Sequence, residues 1–145
     1  VAALLGALVF GYVQDAWGHR RTLSMTLWGW IITCIWAAAS QTQAHFWGAA
    51  AIAGLCLGSS QSAGRAMAGM MIPAKKLAEY FGLWTVAIRL ASILGPLSYG
   101  LITWLSGGNH RLAIVCVTGF FVMGLLLLRR VNVHQGQIDA SRLGH

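Results

Sequence analysis

Acidic side chains are nearly missing from this chain: Asp15, Glu79 and Asp139 are its three carboxylates in 145 residues, against ten lysines and arginines. Charged residues make up 9% of the sequence and hydrophobic ones 57%, too little charge to clothe a soluble domain of this size. The shortage excludes a soluble globular fold and points to an all-α integral membrane protein. Because all three acids fall outside the apolar runs, no carboxylate within the membrane is available to carry a proton.

Other chemistry is missing too. Cys34, Cys56 and Cys116 stand singly in separate apolar segments with no C-x-x-C spacing, so each reads as a small hydrophobe. His19, His45, His110, His134 and His145 lie in loops, at an interface or in the tail, with no two at ligand spacing, so no metal is expected. No G-x-S-x-G or H-E-x-x-H occurs, and no serine in an apolar run has a histidine at helical spacing, so neither an enzyme nor a cofactor is expected. There is no initiating methionine, charged n-region or cleavage site before the first apolar run. A fragment beginning inside a helix is the expectation.

Long apolar runs are what the chain has instead. Residues 1–13 form a run of about 20 Å at helical rise, too short to cross a core of about 30 Å, and read as a truncated span. Four further spans are predicted at 22–40, 46–72, 80–105 and 111–128, with 131–145 as a polar, partly disordered cytoplasmic tail. Small residues repeat every four positions at Ala3, Ala7 and Gly11, at Gly54, Gly58, Ser62 and Ala66, and at Ala87, Ala91 and Gly95, stripes that let helices approach closely. Pro96 lies inside the fourth span beside Gly95, a pair that predicts a helix kink.

The formal charge of +7 is distributed as pairs between the apolar runs: Arg20 with Arg21, Lys75 with Lys76, Arg129 with Arg130. Lacking an interleaved array of basic and aromatic residues, these are helix-flanking charges rather than a nucleic-acid surface. Strict alternation of spans puts all of them and Arg142 on one side, leaving Arg111 opposite, so the tail is expected to be cytoplasmic. Trp47 and Trp104 then fall near the outer interface, and Trp17 and Trp84 near the inner one.

Two arginines break the pattern by lying within apolar spans. A charge at the centre of a membrane helix costs about 2.5 to 3.5 kcal/mol on insertion scales, so Arg65 and Arg89 require partners, water or a function. Both lie about 12 to 15 Å from the cytoplasmic ends of their helices, a shared depth. Gln61, one turn from Arg65, and Thr85 and Ser92, flanking Arg89, extend the two polar faces. Two readings stay open: cations lining a water-filled pathway for an anionic group, or structural charges that snorkel or bond a broken helix near Pro96. Arg65, Arg89, Gln61 and Ser92 are the candidate substrate-pathway residues.

The loop G-Y-V-Q-D-A-W-G-H-R-R, from Gly11 to Arg21, resembles the G-x-x-x-D-R/K-x-G-R-R/K signature of the major facilitator superfamily. In that resemblance Gly11, Asp15, Gly18, Arg20 and Arg21 form a cytoplasmic gating loop, with Asp15 as a latch that caps a helix and pairs with basic residues. Ala16 and His19 depart from the signature, so Arg20 and Arg21 must supply the positive partners. Further along, G-S-S-Q-S-A-G-R (58–65), M-I-P (71–73), A-E-Y-F-G-L-W (78–84), L-G-P-L-S-Y-G (94–100) and H-R-L-A-I (110–114) resemble the C-terminal half of the vacuole-effluxer-like, autophagy-related branch of that superfamily.

The resemblance implies the end of helix eight and helices nine to twelve of a twelve-helix transporter, with helices ten and eleven on the cavity and nine and twelve peripheral. It implies a secondary active transporter of a small polar or anionic solute, with amino acid efflux as the finer expectation, since the branch's best-known members release amino acids from the fungal vacuole. The partners implied are the lipid bilayer, an N-terminal transporter half and a small-molecule solute, without nucleic acid. The expected location is the bacterial inner membrane, with the vacuolar membrane as the alternative. A non-transporting multispan scaffold or assembly subunit, in which the arginines act as glue, is the competing function.

Overall fold

The computed structural model describes residues 2–144. Val1 and His145 lie outside the described residues, as do the side chains of Asp139 and Arg142. The described chain is helical without strands: α1 (Ala2–Trp17), α2 (His19–Ala39), α3 (Gln43–Met70), a 3-10 turn (Ala74–Lys76), α4 (Leu77–Leu105), α5 (His110–Arg130) and α6 (Val133–Gly144). Each of α2, α4 and α5 is long and apolar enough to cross a membrane. At 28 residues α3 is long enough as well, and its run of Gly, Ser, Gln and Arg makes it less apolar than the other three.

Local sequence sets the boundaries. Thr42 begins α3 with its hydroxyl accepting from the His45 N–H, and Asn109 begins α5 by accepting from the Leu112 N–H at 3.1 Å. At the end of α4, the Gly108 N–H donates to the Thr103 carbonyl and the Gly107 N–H to the Trp104 carbonyl, a paired C-terminal cap that needs the positive φ of both glycines. The expected loop at 14–21 is corrected to a single residue: α1 continues through Asp15 to Trp17, Gly18 turns the chain at φ 85°, and α2 starts at His19. Likewise Glu79 lies in the first turn of α4, where a carboxylate faces the positive helix end, and not in a loop.

The tail also differs from expectation, because residues 133–144 form a helix. Asn132 accepts from the Gln135 N–H at 3.2 Å, and α6 then folds back on the end of α3 and the 3-10 turn, with Gly136 against Met71 and the Gln137 amide 3.5 Å from the Met70 sulfur. A short polar helix gains from such docking what its own sequence does not supply.

In space the helices run α1, α3, α2, α5, α4, each packed on the next. Hydrocarbon supplies no hydrophobic drive between helices, so close contact of small residues replaces it. Most buried positions are accordingly small or medium-sized: Ala49, Cys56, Ser59 and Ala63 on α3, Thr22, Thr26 and Thr33 on α2, Ala113 and Thr118 on α5, with Ile31 on α2 and Leu125 and Leu128 on α5 as the larger ones. A methyl group on Gly58 would overlap the Ala3 carbonyl, and one on Gly6 the Leu55 carbonyl, so α1 and α3 meet nearly backbone to backbone. Ala3 and Ala7 of the first stripe serve this contact; Gly11 faces open space and does not. Buried hydroxyls are satisfied within their own helices, as when Thr33 donates to the Gly29 carbonyl at 2.7 Å and Ser59 to the Leu55 carbonyl at 2.9 Å.

The α2–α5 pair is antiparallel and tied at three levels. Trp30 and Phe121 stack with centroids 5.1 Å apart. At one end Arg20, in the first turn of α2, donates to the Arg129 carbonyl at the end of α5, 2.7 Å away. At the other end Arg111, in the first turn of α5, donates to the Ser40 carbonyl at the end of α2, 3.3 Å away. A cation at a helix N-terminus opposes its own dipole; here each is directed at the negative end of its neighbour. By contrast α4 buries no residue: it packs on α5, reaches α3 through the Phe81 and Trp84 side chains, and leaves most of its remaining surface exposed. It runs unbroken through Pro96, whose ring removes the hydrogen bond that the Ser92 carbonyl would otherwise accept.

Candidate functional site

Glycines on the second half of α3 bring that helix to α4. The indole of Trp84 lies over Gly64, 3.6 Å from where a Cβ would stand, and the ring of Phe81 lies over Gly69 at 3.7 Å. Two aromatic side chains therefore occupy notches that any larger residue on α3 would fill. Beyond them the helices leave a cleft of about 370 Å³ lined by Gln61 and Arg65 from α3 and by Phe81, Trp84, Thr85, Ile88 and Arg89 from α4.

Both arginines thus line one cleft. Each is exposed, and among the described residues neither guanidinium, nor the Gln61 amide, has a hydrogen-bond partner or ion pair. Thr85 differs, since its hydroxyl is taken by the Phe81 carbonyl at 2.8 Å. The cleft combines two unpaired cations and an amide with a wall of Trp84, Phe81 and Ile88, an arrangement that suits an anion carrying an apolar body. Gln61 and Arg65 also line a second cleft of about 570 Å³ between α3 and α1, together with Ala7, Gly58, Ser62 and Ala66. The polar face of α3 is open on two sides.

Ser92 is not brought into the cleft; its hydroxyl donates to the Arg89 carbonyl at 2.7 Å. Trp84, expected in the interfacial belt, lines the cleft instead, whereas Trp17, Trp47 and Trp104 are 56%, 67% and 78% exposed on the outside of the bundle. The aromatic wall went unread in the sequence. Its signal was the pairing of Gly64 and Gly69 with Phe81 and Trp84 across the 3-10 turn, which has meaning only once the helices are placed side by side.

The gating residues are dispersed. Asp15 is exposed in the last turn of α1 and, among the described residues, makes no ion pair or hydrogen bond. Of its expected partners, Arg20 holds the Arg129 carbonyl, and Arg21 lines surface clefts beside it without meeting Asp15. A latch from Asp15 to Arg20 or Arg21 is therefore not formed within this chain. Gly18 alone acts as expected, as a turn. No group of His, Cys, Asp and Glu among the described residues could hold a metal ion.

Comparison with known proteins places this arrangement in a family. Residues 1–141 match the family model described as vacuole effluxer Atg22 like. The MFS-type transporter YxiO of Bacillus subtilis is 24% identical over 128 residues, covering 88% of this chain and 30% of that protein. Autophagy-related protein 22 of Kluyveromyces lactis is 32% identical over 90 residues, covering 62% of this chain and 18% of its own length. The chain thus spans less than a third of these relatives. No solved structure matches it. With five apolar helices in the order that the motifs required and a family match along almost its whole length, the chain belongs to the Atg22-like vacuole effluxer family of major facilitator transporters.

Proposed function

We propose that this chain is the C-terminal half of a twelve-helix secondary transporter, with α1 to α5 as the end of helix eight and helices nine to twelve, and that Arg65 and Arg89 bind the anionic group of its solute. The observation that carries the reading is the α3–α4 cleft, where two unpaired guanidinium groups and Gln61 adjoin the Trp84 and Phe81 rings. Unpaired cations within membrane-spanning helices are stabilised by an anion that arrives with the substrate or by acids on the other half of the transporter. A carboxylate beside an apolar side group, as in an amino acid, fits both the charge and the aromatic wall. Efflux of amino acids by alternating access is the corresponding activity, with the stretch at Gly95 and Pro96, where α4 lacks a backbone hydrogen bond, and the turn at Gly18 as points about which helices move.

The end of the bundle that carries Arg20, Arg21, Lys75, Lys76, Arg129 and Arg130 is, in this reading, the cytoplasmic end. Asp15, unengaged among the described residues, then pairs across the interface with the other half when the cytoplasmic side closes.

The test is uptake into proteoliposomes holding the full-length protein, with a panel of labelled amino acids and small anions. Removing one charged hydrogen-bonding partner is expected to raise the apparent KM roughly 10- to 100-fold for Arg65→Ala or Arg89→Ala, with Arg→Lys recovering part of the loss. Wild-type transport of every solute by both alanine variants removes the binding role from the arginines.

A further inference from the structure

A third cleft, of about 320 Å³, opens at the basic end of the bundle where the α1–α2 corner meets the end of α3 and the start of α6. Its polar lining is Gly18, His19, Arg20, Arg21, His134 and Gln137, over a floor of Met70 and Val133. Two guanidinium groups, two imidazoles and an amide line it, and among the described residues no carboxylate does. The cleft is made by the docking of α6.

Four details give this cluster the character of an anion site. Arg20 is fixed in place, since one of its nitrogens is bound to the Arg129 carbonyl at 2.7 Å while the rest of the guanidinium keeps its donors. Gly18 has no side chain to cap α2, so the first-turn N–H groups of a helix of 21 residues have no side-chain acceptor at the wall of the cleft. The Nδ1 atom of His19 is buried without a hydrogen-bond partner. Gln137, whose amide meets only a thioether sulfur at 3.5 Å, has further donor capacity.

We propose that this cleft binds a phosphate group. Its volume lies at the small end of ligand pockets, which run from about 300 to 1,000 Å³, and suits a phosphate with a small attached moiety. The group can come from an anionic phospholipid headgroup, whose acyl chains would lie along the exposed surfaces of α2 and α5, or from soluble phosphate. In either case the ligand bridges α2 and α6, holding the tail helix against the end of α3.

Native mass spectrometry of the full-length protein in detergent tests this, with phosphatidylglycerol, phosphatidylcholine and inorganic phosphate as probes. Phosphatidylglycerol is expected to be retained over phosphatidylcholine, and R21Q/H134Q to weaken that retention about tenfold or more, through the loss of a guanidinium and an imidazole contact. Lys76→Gln, at the same end but outside the cleft, is expected to bind as wild type does, and Arg21→Lys to recover part of the affinity. Displacement of the lipid by millimolar inorganic phosphate identifies the phosphate itself as sufficient; retention of the lipid identifies the headgroup with its chains as the ligand. Equal retention of the two lipids with no phosphate adduct overturns the proposal, as does wild-type binding by R21Q/H134Q or an equal loss in Lys76→Gln. Transport by R65A and R89A is a separate measurement, so failure here leaves the solute cleft unaffected.

Discussion

Replacing Arg20 by glutamine removes a charged donor from the carbonyl end of α5 without changing any apolar contact between α2 and α5. The bond is 2.7 Å long and ends on Arg129, whereas its counterpart from Arg111 to Ser40 is 3.3 Å. A hydrogen bond to a charged group contributes about 1.5 to 3 kcal/mol, and exposure of both pairs to solvent lowers this to about 1 kcal/mol for Arg20 and about 0.5 for the longer bond. In a chain of 145 residues, about 1 kcal/mol corresponds to a fall of roughly 3 °C in Tm. The two bonds lie at opposite ends of helices that are 21 residues, or about 30 Å, long, so their effects should add.

Thermal unfolding in detergent, followed with a thiol-reactive fluorophore, reads this directly, because Cys56 is buried and Cys34 half-buried against neighbouring helices. Cys116 is exposed and is replaced by alanine beforehand to remove its background. The expected order of stability is wild type, Arg111→Gln, Arg20→Gln, then the double variant, with the losses summing. An Arg20→Gln protein that melts with wild type, or an Arg111→Gln protein that loses more than Arg20→Gln, refutes the assignment of these bonds as a reciprocal clamp.

The same assay separates two glycines that look alike in sequence. Gly58→Ala forces a methyl group into the Ala3 carbonyl and is expected to destabilise by about 1 to 3 kcal/mol, while Gly11→Ala, with nothing near its added methyl, should be neutral or stabilising by up to about 1 kcal/mol. A double-mutant cycle on Trp30→Ala and Phe121→Ala should return a coupling of about 0.5 to 1.5 kcal/mol for the stacked pair; a coupling near zero would mean that the rings contribute through burial alone.

Much of the architecture was legible because a membrane leaves few options. Backbone groups in hydrocarbon must be satisfied within the segment, so long apolar runs become helices, and α2 to α5 begin and end within a few residues of the four longer runs. The stripes of Ala3 with Ala7 and of Gly54 with Gly58 announced a close helix pair because only small side chains permit one, and these two stripes do meet. Gly11 continued the first stripe on paper but lies beyond the contact, since periodicity gives the face of a helix and not the length along which a neighbour follows it.

The residues that sequence reasoning misplaced are those whose partner lies on another helix. Asp15 and Arg20 are close in the chain and opposite in charge, yet Arg20 turns to a carbonyl 109 residues further along the sequence, because α5 ends beside α2. Trp84 was assigned to the interface by its distance from a basic loop, and in the fold the notch at Gly64 takes it into the cleft. The tail had too little apolar character to be read as a helix, and α6 forms where the end of α3 gives it a surface.

By itself the sequence determined that this protein lies in a membrane, which segments form its long helices, and which two of those helices carry a charge in an apolar run, since each follows from composition and local spacing. Only the tertiary structure decided that Arg65 and Arg89 line one cleft, that Trp84 and Phe81 wall it, and that Arg20 and Arg111 clamp α2 to α5. The reason is physical: a span is fixed by the free energy of its own residues in lipid, whereas a site is fixed by which helix ends and faces meet.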